Sequence, residues 1–343
     1  MASAERPSGG WARVFQARRA SFTQVMPGLL VCLTIALATT FVSDHYGGPT
    51  LLYALLFGIA FHFLSEEGRC VPGVDFAART VLRLGVALLG ARITIGQVAA
   101  LGIGPVLTVI VAVVSTILVG RLLSRLFGLE RDLGYLTGGA VAICGASAAL
   151  ALSAVMPRHA NHERNTILTV VAVTTLSTMA MVTYPLFVKA IGLDDATAGV
   201  FLGGTIHDVA QVVGAGYIIS PETGDVSTFV KLMRVALLVP AVMAYAWLFR
   251  DATEGGGKVP MVPGFLVAFV VIVLVNSAGF IPAPVADGLV TLSRWCLVTA
   301  IAALGIKTSL QKLAVVGWKP VALMVGETLF LAVLVLGIVL FVY

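Results

Sequence analysis

At 343 residues, with 59% hydrophobic and only 11% charged side chains and a mean hydropathy of +1.01, this chain is too apolar for a water-soluble globular protein. A soluble domain carries about 25% charged residues, and a surface this short of polar groups needs lipid as its solvent. The formal net charge of +5 does not point to nucleic acid, because the basic residues fall in short loops between apolar runs, where they set membrane orientation.

In chain order, residues 1–24 form a polar, basic tail with Arg6, Arg13, Arg18 and Arg19. No small-residue cleavage site separates the apolar run that follows from the next one, so the tail reads as cytoplasmic and the first helix as retained. Residues 25–343 read as a single transmembrane domain with repeat-like halves at about 50–190 and 197–343. Apolar runs lie at 25–43, 50–65, 74–95, 103–124, 134–156, 166–189, 197–219, 229–249, 261–280, 287–306 and 317–342. Most reach the roughly 20 residues that a helix needs to cross a bilayer. The fold class is therefore an all-α polytopic membrane protein with 9 to 11 transmembrane helices.

Two runs differ from the rest. They contain TGGAVAICGASAALALSAVM and GVFLGGTIHDVAQVVGAGYIIS, rich in Gly and small residues. Loop charges test whether they cross. With the N-terminus inside, a full crossing by 134–156 would put Arg158, His159, His162 and Arg164 outside, against the positive-inside rule. A re-entrant 134–156 keeps that loop inside, and 197–219 then becomes a hairpin from the outside, next to the acidic Glu222 and Asp225. Nine spans plus two broken or re-entrant segments fit the charges better than eleven spans. Backbone of that kind is tolerated at membrane depth only where protein buries it or it lines a cavity.

An internal repeat points the same way. Laying 86–107 over 301–322, an offset of 215, matches seven of 22 positions, including Gly90/Gly305 and Pro105/Pro320, and keeps the charge at Arg92/Lys307. In this topology the two copies run in opposite directions. Inverted repeats mark secondary transporters, which hold substrate where the halves meet.

Broken segments expose backbone N–H groups at a helix start, which bind anions without a basic side chain. The candidate substrate-binding residues are Gly138, Gly139, Gly145, Gly203 and Gly204, with the hydroxyls of Ser147 and Thr205 and the mid-span Arg83. The bland alternative is that the glycines only let helices pack closely. His207, Asp208 and Gln211 in GGTIHDVAQVVGAG, and the mid-span Glu327, are candidates for ion coupling, because an intramembrane carboxylate is expensive. Against this, Asp208 or Glu327 would serve only as counter-charge to a buried base such as Arg83. Arg92 and Lys307 lie near helix ends and snorkel. His62 reads as structural, and Asn161–Asn165 (NHERN) as a solvated loop. Cys32, Cys70, Cys144 and Cys296 show no metal or disulfide spacing. No nucleophile elbow, phosphate loop or HExxH is present, so an enzyme is not expected.

The stretches GVALLGARITIGQV, GGAVAICGASAALAL, TTLSTMAMVTYPL and GGTIHDVAQVVGAG resemble the YeiH family of putative sulfate exporters, over about Leu29 to the C-terminus. The resemblance implies an inverted-repeat secondary carrier in the bacterial inner membrane, distantly similar to bile-acid/sodium symporters, exporting an anion of the sulfate, sulfite or sulfonate class. No cofactor is expected beyond a coupling ion, H+ or Na+; the partners are a small anion and membrane lipid, and a homodimer stays open. Two other readings are a cation/proton antiporter with Asp208 as exchange site and a non-transporting scaffold subunit.

Overall fold

The computed structural model describes residues 10–250, 263–308 and 317–342, with side chains from residue 23 on. All regular elements among them are helical: α1 (Gly10–Tyr46), α2 (Thr50–Ala60), α3 (Val71–Phe76), α4 (Leu82–Leu88), α5 (Ile95–Ala100), α6 (Gly104–Leu126), α7 (Arg131–Ala142), α8 (Ala146–Ser153), α9 (His162–Ile191), α10 (Asp195–Thr205), α11 (Val209–Ile219), α12 (Pro221–Ala236), α13 (Leu238–Leu248), α14 (Gly264–Ser277), α15 (Ala283–Lys307) and α16 (Trp318–Val342). Six helical stretches are long and apolar enough to cross a bilayer, namely Thr23–Tyr46, Gly104–Leu126, His162–Ile191, Pro221–Leu248, Ala283–Lys307 and Trp318–Val342.

The helices are apolar outward and small inward. Helix α6 exposes Leu107, Ile110, Val111, Val114, Leu118 and Leu122 along one stripe and buries Thr108, Ala112, Thr116 and Gly120 on the other. Between helices in lipid there is little hydrophobic driving force, so close van der Waals packing of small residues carries association. The pair Gly58 and Gly305 is one close instance: a Cβ at Gly58 would collide with Ala302 O and one at Gly305 with Leu55 O, so α2 and α15 touch backbone to backbone.

Two bundles result. Helices α1–α5 pack with α14 and α15; helices α6–α13 pack with α16. They meet where α11 lies on α2 and α15, and where Arg92 Nε donates to Asp225 Oδ2 at 2.8 Å.

The two glycine-rich segments are hairpins. Thr223, at the start of α12, has its Oγ1 3.1 Å from Asp195 O at the start of α10. Further along, Gly199 faces Val226 and Gly203 faces Val230, so α10 and α12 run parallel. Gly216 packs on Gly224, so α11 runs antiparallel to α12, and α10 and α11 enter and leave on one side. In the other hairpin, Glu130 ahead of α7 accepts from Asn161 Nδ2 (2.6 Å) and Asn165 Nδ2 (2.9 Å) after α8, which brings both ends together. The span α12–α13 joins the two bases: it starts beside Asp195 and ends with Tyr245 Oη donating to Tyr135 O at 2.8 Å. The hairpins therefore enter from opposite faces, as the loop charges predict. The NHERN segment is solvated at Asn161, Glu163 and Arg164, but from His162 on it is the first turn of α9 and not a loop, and its asparagines clamp the base of the first hairpin, with His162 Nε2 also 2.8 Å from Ser153 Oγ.

The second hairpin opens on a cap. Asp194 Oδ1 accepts from Ala196 N (3.0 Å) and Thr197 N (3.1 Å), and Oδ2 from Thr197 Oγ1 (2.7 Å). The hydrogen bonds from Thr197, hydroxyl first, hold this carboxyl below the usual carboxylate range. Asp194→Ala is expected to lower stability by about 1 kcal/mol at neutral pH. A group with a depressed folded-state pKa contributes above its unfolded value and loses that contribution as pH falls through the folded one. The melting-temperature gap between wild type and variant should thus close below about pH 4.

Candidate functional site

The hairpin tips touch at the centre of the second bundle. Between α7 and α8, Ile143–Gly145 turn the chain, and Gly145 takes φ +64°, where an L side chain is disfavoured by about 1–2 kcal/mol. Between α10 and α11, Ile206 and Asp208 are extended, with ψ 138° and 144°. A Cβ at Gly145 would lie 3.7 Å from His207 Cβ.

Each tip leaves a half-helix C-terminus with carbonyls that have no intrahelical partner. Both ends are capped by α12. Lys231 Nζ donates to Ile143 O (2.6 Å) and Ile206 O (3.0 Å). Arg234 Nε donates to Ala142 O (2.8 Å), Nη2 to Val141 O (2.8 Å) and Nη1 to Gly203 O and Ile206 O (both 3.1 Å). Both side chains are 0% exposed. Two cations thus sit where two negative helix ends converge. Sequence reasoning passed over this pair, although a signal existed: VKLMR puts two basic residues three apart, on one face, inside an apolar run.

The opposite ends, the starts of α8 and α11, face a cavity of about 460 Å³ between the bundles, on the Arg131 side of the tips. The second bundle contributes Ser147, Thr174, Thr175, Thr178, Asp208 and Gln211, and the first contributes Arg79, Arg83 and Lys307. Arg79 lies in a single π turn, Ala77–Val81, between α3 and α4; such turns recur at functional sites. Lys307 Nζ is paired with Asp75 at 2.5 Å, whereas Arg79 and Arg83 have no carboxylate partner among the described residues. Asp208 is the one carboxylate on the described wall.

Of the residues picked from the sequence, Ser147, Arg83, Asp208 and Gln211 come together at this cavity, with Gly145 as the turn that starts α8. The others do not line it. Gly138 and Gly139 lie inside α7, against Thr116–Gly120 of α6 and against Leu152 and Tyr245. Gly203 and Gly204 lie inside α10, against Ser227 and Val230 and against Val335. Their N–H groups belong to helix interiors ahead of the breaks, so the glycine pairs allow close packing, and the free amide ends belong to the residues after each break. Thr205 Oγ1 turns back to Phe201 O at 2.6 Å. His207 is fully buried at the tip, Nδ1 3.2 Å from Val141 O and Nε2 3.0 Å from Thr328 Oγ1. A carbonyl only accepts, so Nδ1 is the donor and Nε2 of the neutral ring accepts from Thr328.

Glu327 sits apart, between α6, α7 and α16. Its Oε1 is 2.7 Å from Thr137 Oγ1, and Oε2 is buried without a hydrogen-bond partner. No base pairs with it among the described residues, so the alternative of a counter-charge to Arg83 is met neither by Glu327 nor by Asp208. Arg92 and Lys307 do more than snorkel: each holds an ion pair, to Asp225 and to Asp75.

At the opposite face the bundles are latched. Arg92 binds Asp225, Tyr217 Oη donates to the same carboxylate at 2.5 Å, and the guanidinium lies 5.7 Å from the Tyr217 ring centre. A second cavity of about 390 Å³ there is lined by Arg92, Tyr217 and Arg294.

Residues 27–324 match the family described as Conserved hypothetical protein 698. A UPF0324 membrane protein of Chlorobaculum tepidum is 54% identical over 326 residues, covering 94% of this chain and 91% of its own. The UPF0324 membrane protein TauZ of Paracoccus denitrificans is 53% identical over 314 residues, covering 90% and 93%. Among solved structures, a sodium proton antiporter from Methanocaldococcus jannaschii aligns over 93% of this chain and 99% of that one, at 12% identity and a TM-score of 0.29. The matches in sequence extend over nearly the whole membrane part, and the chain belongs to the UPF0324 family of membrane proteins, the same family as YeiH.

Proposed function

We propose that the chain is a secondary carrier that moves a small oxyanion, of the sulfate, sulfite or sulfonate class, by alternating access, with H+ or Na+ coupled at Asp208. The observation that carries this is the composition of the central cavity: two arginines without carboxylate partners among the described residues, hydroxyls and the start of α8, against a single carboxylate. Helix starts and guanidinium groups favour anions. The latch at Arg92 ties the two bundles together at the other face, a contact that alternating access would have to break. The oppositely directed hairpins, and the ends of α4 and α15 at opposite faces near Arg92 and Lys307, support an inverted repeat. Arg121, Arg125, Arg131, Arg158, Arg164 and Lys319 gather at one face, which we take as cytoplasmic in an inner membrane, with the N-terminus there.

Flux of labelled sulfate and sulfite into proteoliposomes, with and without a pH gradient, tests the reading. Saturable flux, competed by unlabelled anion and lost in Asp208→Asn, is expected. Flux no greater than in protein-free liposomes for every anion would overturn it. Proton movement that needs Na+ and no anion would favour the antiporter reading instead.

A further inference from the structure

We infer that Asp208 and Gln211 hold a sodium ion at the start of α11, and that this ion drives the carrier; the second clause rests on the transport reading above. Asp-x-x-Gln at a helix start reads as a capping box, in which the first side chain accepts the N–H three residues on and the fourth accepts the first N–H. Neither bond is made. The Asp208 carboxylate leans on the Val209 and Ala210 N–H groups and does not reach that of Gln211, and its own N–H donates instead to Ser177 Oγ at 3.0 Å.

Gln211 is 3% exposed, and its amide is oriented by a Thr178 hydroxyl that bonds back to its own helix. Thr178 spends its one hydroxyl hydrogen on Thr174 O at 3.0 Å, so toward Gln211 it can only accept. Nε2 therefore faces Thr178, at 3.4 Å, and Oε1 points away. Oε1 is buried with no hydrogen-bond partner. An orphaned acceptor of this kind costs about 1–3 kcal/mol, and a side-chain amide takes up no proton at physiological pH, so a donor or a cation must satisfy it. The carboxylate three residues earlier, on the same cavity wall, makes a cation the better match.

The donor set selects the ion. All the groups are oxygens, which suits a hard cation, and one carboxylate with one amide falls well short of the roughly six to eight oxygen ligands of a Ca2+ site. Unwound carbonyls are the other usual sodium ligands in broken helices. Here Ile143 O, Ile206 O and their neighbours are occupied by Lys231 and Arg234, so the ion is directed to the side chains at the start of α11. Lys231 lies within electrostatic range of Asp208, but its Nζ is spent on Ile143 O and Ile206 O and no direct ion pair joins the two among the described residues, so the sodium ion competes with that charge. The positive end of α11 opposes a cation, and Asp208 offsets it. An anion at Arg79 and Arg83 in the same cavity adds attraction, so each ligand should raise the affinity of the other, reciprocally.

Thermal-shift titration of the purified full chain with NaCl against choline chloride, at constant ionic strength and with or without sulfate or sulfite, is the test. Saturable stabilisation by Na+ that choline and K+ do not reproduce is expected, with an apparent affinity at least tenfold weaker in Asp208→Asn and in Gln211→Leu. Gln211→Glu keeps an oxygen in place and should keep the Na+ response, which separates loss of a ligand from loss of the fold. No Na+-specific shift in the wild type, or an undiminished one in Gln211→Leu, overturns the site. Sulfate flux that is unchanged when choline replaces Na+ overturns the coupling and leaves the anion carrier standing; Na+ binding with no anion response supports the site and removes the carrier reading.

Discussion

Replacing Arg234 by leucine is expected to abolish recovery of folded protein, or to lower its melting temperature by about 10 °C or more, equivalent to roughly 4 kcal/mol. Arg234 donates to four carbonyls at the hairpin tips. Val141 O and Ile206 O keep second donors, His207 Nδ1 and Lys231 Nζ, but Ala142 O and Gly203 O are left without a hydrogen-bond partner in the interior. Each orphan costs about 1–3 kcal/mol. The two negative half-helix ends also lose the charge that separates them, and the void left by a fully buried arginine adds to both. Total stability of about 5–15 kcal/mol leaves little margin. Arg234→Lys should rescue only in part, because an ammonium lacks the planar fork that reaches Ala142 O and Val141 O together. Lys231→Met should be milder, since it deprives only Ile143 O while Ile206 O keeps Arg234. Size-exclusion profiles and melts in detergent rank the three; an Arg234→Leu protein that melts like the wild type would show that the tips do not depend on this cap.

The second large effect is on substrate. Arg79→Gln with Arg83→Gln is expected to raise KM for a divalent oxyanion by about 100-fold, about tenfold for each arginine, with 1.4 kcal/mol corresponding to a factor of ten. Both lie on the first bundle, face the cavity and have no ion pair in the described structure, so their charge is available to a ligand. Lys307 should matter less, because Asp75 already offsets it. The two sites lie four residues apart, so their effects need not add, and the single variants measure the coupling. Arg→Lys at each position keeps the charge and should restore most of the affinity. A double Gln variant with unaltered KM would place the anion elsewhere.

Much of this architecture was legible from composition and loop charge. Apolar length requires helices, because lipid offers no partner for an unpaired backbone group. The unfavourable position of Arg158 and Arg164 in an eleven-span chain was enough to fold 134–156 back, and the Glu130 clamp shows how it is held. The cost of placing a carboxylate at depth singled out Asp208 and, less usefully, Glu327. The glycine pairs marked the segments that break, but they are not the residues that line the cavity. Whether a glycine exposes an amide or lets a neighbour approach depends on where the helix breaks, and both breaks fall after the pairs, at Ile143–Gly145 and Ile206–Asp208.

The sequence by itself therefore determined the solvent, the all-helical polytopic class, the two segments that break and the family, because each follows from local composition, charge or motif. Only the tertiary structure decided which groups meet. Lys231 and Arg234 become caps because α12 passes both tips; Glu130 becomes a clamp for residues about 30 positions on; and Gln211 Oε1 is orphaned because Ser177 takes the Asp208 N–H and Thr178 fixes the amide. These are partnerships between residues far apart in the chain, set by packing of small side chains, and no periodicity records them. The two glycine-rich runs that stood out on first reading are the hairpins, and it is residues after each turn, Ser147, Asp208 and Gln211, that line the cavity.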